Sequence, residues 1–186
     1  MANRNTQGFG LIAAGALGST PATSGQGKYK IDAGYGTTIF HGGAVASAAG
    51  YIIEGQGTDT PILGVLNGIF YNAASTLKPT FANHYVAVTP ANSEDIDAFV
   101  FDNPQQQYVV ATDDAVAQAG YLETYDMNVS AGSTTTGQSS ATLDIADTSA
   151  DAASWRLLRS AEDPENDENA AFRSVVVVAN LIELQS

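Results

Sequence analysis

The residues best suited to chemistry in this chain are two histidines and a few groups of carboxylates. His41 stands before Gly42-Gly43, and His84 lies between Asn83 and Tyr85. Neither sits in an HExxH, HxH or GxSxG context. Cysteine is absent, which removes disulfides, thiolate metal sites and cysteine nucleophiles. Asp163, Glu165, Asp167 and Asn169 alternate as oxygen ligands do in calcium loops, but the glycine and the closing glutamate of such a loop are missing and Pro164 intrudes. This acidic run therefore reads as a solvated turn tip, and so does the cluster Glu94, Asp95 and Asp97. Glu54, Asp102 and Asp144 are the carboxylates a hydrolase would use, if two of them faced one cleft. The glycine-rich run at 34–43 has no GxxxxGK[ST] and no helical pattern after it, so it reads as strand bends rather than a phosphate loop. Tyr29, Tyr35, Phe40, Tyr51, Phe70 and Tyr71 form a possible base or sugar platform, but at strand spacing they read as core and rim. The chain is read as non-catalytic, with no metal and no cofactor.

The elements that would position these residues are short strands. Residues 34–71 are strand-type runs cut by glycine: TTIF, YIIE and ILGVLNGIFY, with Gly64 and Gly68 four residues apart. Glycine inside a strand marks a bend, a bulge or a close backbone approach, so this stretch predicts a strongly curved sheet that closes a barrel. KYKI alternates, HYVAV is a strand candidate, and residues 96–110 read as strand, Asp-Asn-Pro turn, strand. A turn is expected at 58–61, a helical turn or irregular loop before Gly120, an exposed loop or edge hairpin at 130–140, a strand at 141–145 and weak helical propensity at 147–154. SWRLLRS suits a short amphipathic helix or a strand; with an acidic turn and RSVVVVANLIEL after it, the strand is favoured and a C-terminal hairpin is expected. The unbroken Val175 to Val178 run implies a central strand buried on both faces. The expected fold is all-β: a small β-barrel or sandwich of short antiparallel strands, residues 31–186, with an extended N-terminal arm, residues 1–30, and a candidate sub-boundary in the 71–95 linker.

Charge sets the arm apart from the body. The chain has 20 acidic and 7 basic residues, a net charge of −13. Residues 1–30 hold Arg4, Lys28 and Lys30 and no acid, a charge of +3, which leaves −16 on the remainder. An acidic body repels the phosphate backbone, so nucleic acid is not expected as a partner. Residues 11–17 are too short to span a bilayer, and Met1-Ala-Asn-Arg does not open a secretion signal, so synthesis in a cytoplasm without membrane contact is expected. Phe9, Leu11, Ile12 and Leu17 are too apolar for a solvated tail. Together with Arg4, Lys28 and Lys30 they are the candidate docking residues.

The order of motifs resembles a known family. GFGLIAAGALGSTP is followed by SGQGKYKI, GYGTTIFHGGAV and ILGVLNGIFY, then by the AFVFDNPQQQYVV hairpin, SAGSTTTGQSSATLD and the DPENDE turn before a last strand. This series resembles the capsid cement or decoration proteins of tailed bacteriophages, especially those of marine short-tailed phages. The longer 71–90 linker and the first residues of the arm depart from that pattern. The resemblance implies a homo-oligomer, dimer or trimer, on the capsid exterior of the virion, clamping the major capsid protein through residues of the arm. The alternatives are another virion component (a head fibre base, tail adaptor or receptor-binding module) or a glycan-binding β-domain using exposed tyrosines.

Overall fold

The computed structural model describes residues 3, 5–18, 25–55, 61–129, 132–146, 153–167 and 169–185. Arg4, most of the expected turn at 58–61 and most of the 147–154 segment lie outside these ranges. The chain is all-β, with thirteen strands among the described residues: β1 (Ile12–Ala16), β2 (Gly27–Ile31), β3 (Ala44–Ala48), β4 (Tyr51–Glu54), β5 (Gly64–Asn72), β6 (Pro79–Ala82), β7 (Ile96–Phe101), β8 (Gln106–Ala111), β9 (Thr124–Tyr125), β10 (Met127–Asn128), β11 (Thr142–Leu143), β12 (Trp155–Ser160) and β13 (Ser174–Ala179). Five form one sheet in the order β1-β8-β13-β12-β9, six form a second as β2-β7-β5-β3-β4 with β6 on β5, and β10 pairs β11 apart from both.

The expected C-terminal hairpin is present as β12 on β13. β13 lies in the middle of its sheet, and Val175, Val176, Val177 and Val178 are all buried. A β-branched run can tolerate that position because it offers apolar surface to both sides. The 96–110 stretch is not a hairpin. β7 pairs with β2 and β5, whereas β8 pairs with β1 and β13. The Asp102–Gln105 turn, closed by Gln106 N–H donating to the Asn103 carbonyl at 2.9 Å, is a corner that carries the chain from one sheet to the other. Nor does the second sheet close into a barrel. Its edge strands β2 and β4 approach each other but exchange no ladder hydrogen bonds. TTIF and HYVAV form no full strands; they are joined by an Ile39–Tyr85 bridge, with reciprocal bonds of 2.9 and 2.8 Å, and by the stacking of Phe40 and His84. The 118–120 segment is a single 3-10 turn.

Two cores result. The first is built by the five-stranded sheet through Leu11, Tyr108, Trp155, Leu157, Val175 and Val177, with Tyr108 and Trp155 meeting edge to face at 5.6 Å. The second fills the curl of the six-stranded sheet with Ile31, Val45, Ile52, Leu66, Ile69 and Ile96, together with Ala98 and Val100. β7 alternates strictly: Ile96, Ala98 and Val100 point into the curl, so Asp97, Phe99 and Phe101 point out of it. At one end this outer face is covered. Ala44, Val65 and Phe101, in register across β3, β5 and β7, pack against the first core. Farther along the same strands nothing among the described residues covers it.

The described part of the arm is bound to its own body. Asn3 donates through Nδ2 to the carbonyls of Ala171 at 2.8 Å and Ala170 at 3.2 Å and accepts from Asp167 N–H, which fixes the turn of the last hairpin. Gln138 donates to the Phe9 carbonyl at 2.6 Å and Gln106 to that of Gly15 at 2.6 Å. Any side chain at Gly8 would collide with the Ser140 carbonyl. β1 then adds to β8 as an edge strand.

Candidate interaction surface

Outward side chains of four strands make one face. Register places Lys28 beside Phe99 and Lys30 beside Asp97 on β2 and β7, Phe70 beside Asp97 on β5, and Phe81 beside Phe70 on β6. The face therefore runs from a lysine margin through Asp97 and Phe99 to Phe70 and Phe81. Phe81 is 64% exposed, and its ring lies 6.1 Å from that of Phe99. Gly68 makes this possible: a Cβ there would sit 3.0 Å from the Phe81 ring and 3.0 Å from the Ala82 carbonyl. Pro79 starts β6, where an edge strand accepts a residue that cannot donate to a ladder. A hollow of about 300 Å³ continues the face past Phe70 and Lys30 to Tyr71, Pro90, Glu94 and Asp95.

The charges on this face are held in place. Lys28 and Lys30 bind Asp97 at 2.7 and 2.6 Å. Burial alone would raise the Asp97 carboxyl, but the hydrogen bonds from the two ammonium groups outweigh it and hold the group below its usual range. The Asp97 hydrogen bond raises Lys30. Both lysine side chains remain half or more exposed, 61% and 50%, so the pair contributes well under about 1 kcal/mol to folding and its ammonium groups stay open to a partner.

Of the docking residues expected from the sequence, Lys28 and Lys30 thus lie on this face, whereas the apolar residues of the arm do not. Leu11 is 2% exposed and belongs to the first core. Phe9 and Leu17 are half-buried, and Ile12 is exposed on β1. Phe81 and Phe99 had no local signal as residues of an outer face, and Phe70 was read only as core or rim, because alternation separates the two faces of a strand without telling which is covered.

The residues with chemical potential are occupied elsewhere. His41 Nδ1 lies 2.9 Å from the Asn67 carbonyl, which can only accept, so that nitrogen carries the proton. His84 Nδ1 faces Asn83 Oδ1 at 2.8 Å, since the Asn83 amide nitrogen donates to the Thr136 carbonyl. The His84 ring is stacked on Phe40 over Gly137, where φ of +74° favours glycine, so it clamps the 132–138 loop. Glu54 and Asp102 line different cavities. Burial raises the Glu54 carboxyl, while Asp102 accepts from the Tyr29 hydroxyl at 2.7 Å. Burial and that bond push Tyr29 up to about 12. Asp144 accepts from the backbone N–H of Ala146 at 3.0 Å. In the acidic turn, Asp163 and Asp167 accept from the backbone N–H of Glu165 and Asn169, each at 3.0 Å. Among the described residues no three His, Asp or Glu side chains come together to hold a metal ion, and no helix is long and apolar enough to cross a membrane.

Comparison with family models, with curated proteins and with solved structures finds no match to this chain.

Proposed function

We propose that this chain is a structural protein of a virus particle. It is a cement that binds the outer surface of a phage capsid and stabilises contacts between major capsid subunits, acting as a binder rather than an enzyme. The observation that carries the reading is the aromatic face of the six-stranded sheet, where Phe81 stands 64% exposed beside the half-buried Phe99 and Phe70. Contiguous aromatic surface left open to water is characteristic of a docking site. Its lysine margin favours a partner with an apolar centre and acidic groups at the rim, and the ordered motifs of the sequence support a capsid as that partner. Covering a phenylalanine side chain contributes about 1.5–3 kcal/mol. A contact this small is weak once, but on a particle with many neighbouring sites such contacts act together.

The test is the double variant Phe81→Ser with Phe99→Ser, mixed with purified capsids that lack the protein. Occupancy after sedimentation of the capsids should fall at least tenfold, while thermal unfolding shows the variant folded. Wild-type occupancy by the folded variant would end this reading.

A further inference from the structure

Away from the aromatic face, a knob and a hollow on different parts of the molecule match each other. Leu77 is 74% exposed, the most exposed of the large apolar side chains among the described residues. It stands on the turn between β5 and β6, which is closed by Leu77 N–H donating to the Ala73 carbonyl at 2.8 Å and Ala73 N–H to that of Lys78 at 3.2 Å. Its φ of +54° lies in the left-handed region, which residues with a side chain adopt rarely. The left-handed backbone closes the turn, but the side chain it carries is turned out to water, and an outlier of this kind gives reason to look for a binding role. Lys78 follows it, and residues 73–82 contain no acid, so the tip is positive on a chain of net charge −13.

The hollow has about 480 Å³ and opens where the edge strands β2 and β4 fail to pair. Ile52, Leu63, Ile182 and Leu184 supply apolar walls between the Tyr29 and Tyr51 rings. Leu184 is 52% exposed at its lip. The C-terminal turn that forms one wall is fixed by Ser47 N–H donating to Glu183 Oε1 at 2.8 Å. The surrounding acids are Glu183, Asp102 bound to Tyr29, and Asp95 bound to Tyr51. Lys30 also reaches Tyr51 but is paired with Asp97, so the hollow is apolar within and negative on balance at its rim, the complement of a leucine followed by a lysine.

We propose that the chain self-associates head to tail, with the Leu77–Lys78 tip of one copy seated in the hollow of the next. Leu77 fills the space between Ile52, Leu63 and Leu184, and the Lys78 ammonium lies beside the acids of the rim. A two-fold dimer would need both knob-and-socket contacts to form at once between the same two copies; the head-to-tail arrangement makes one contact per pair and builds rings or chains. This inference does not rest on the capsid reading and stands or falls separately from it.

Sedimentation velocity of the full chain over a concentration series tests it. The wild type should grow in average mass with concentration. Leu77→Ser keeps the socket and Leu184→Asp keeps the knob; each alone should stay monomeric. Their equimolar mixture should form dimers and nothing larger, because one sound contact remains. Lys78→Glu, on the exposed tip, should weaken assembly at least threefold and serves as the second knob variant if Leu77→Ser does not fold. A monomeric wild type, variants that assemble like the wild type, or a mixture without dimers would overturn the proposal.

Discussion

Residues 8–17 and the face made by Phe70, Phe81 and Phe99 are both apolar and both border sheet edges, yet they are used in opposite ways. The first is sealed onto its own body: Leu11 enters the first core and β1 completes a sheet. The second belongs to a sheet whose outer face is packed against the first core at the Ala44, Val65 and Phe101 end; beyond it Phe81 is exposed, while Phe70 and Phe99 are half-buried. Composition alone points to the first as the docking element, because the arm has no acid and too many apolar residues for a tail. What decides is how far the two sheets overlap. An apolar stretch that finds cover in its own chain is a stability element, and one that the overlap leaves bare is available to a partner.

The sharpest break between the two regions is in stability. Leu11→Ala removes a fully buried side chain and should cost about 2–5 kcal/mol, read as a lower urea midpoint. A cost under about 0.5 kcal/mol would mean that the arm is not part of the core, and the contrast would be lost. The lysine margin should matter far less. Asp97→Asn should cost under about 1 kcal/mol at neutral pH. Because the folded chain holds this carboxyl below its unfolded value, its contribution is present above that value, near pH 3.9, and is lost as pH falls through the lower folded value. Wild type and variant should therefore converge in stability at strongly acid pH; a gap that persists there would assign the effect to packing. The smallest stability effect belongs to the aromatic face: Phe81→Ser alone should shift stability within about 0.5 kcal/mol, since water already reaches most of the ring.

Much of the fold was legible in the chain. Val175 to Val178 announced a central strand because four β-branched residues in a row suit burial on both sides. The C-terminal hairpin followed from the acidic turn between two strand runs. The Asp102–Gln105 turn misled because a hairpin and a corner use the same local turn chemistry. Which one forms depends on whether β7 and β8 find better partners elsewhere, and both do, in β5 and β13. The barrel misled for a related reason: bends at Gly64 and Gly68 curve a sheet, but closure requires β2 and β4 to meet in register. The aromatic face was hidden because AFVF places its small residues, Ala98 and Val100, inside the curl and Phe99 outside it, the reverse of what side-chain size suggests. Only long-range packing fixes that choice. Lys28 and Lys30, singled out in the sequence by their place in an acid-free stretch, lie at the margin of a face built mainly by β5, β6 and β7.

The most direct test of the contrast is hydrogen–deuterium exchange of the protein free and bound to capsids. The account predicts new protection on binding at residues 68–72, 79–82 and 97–99, with β1 equally protected in both states because it is already paired to β8. New protection confined to residues 5–17, with β5, β6 and β7 unchanged, would contradict it and return the docking role to the arm.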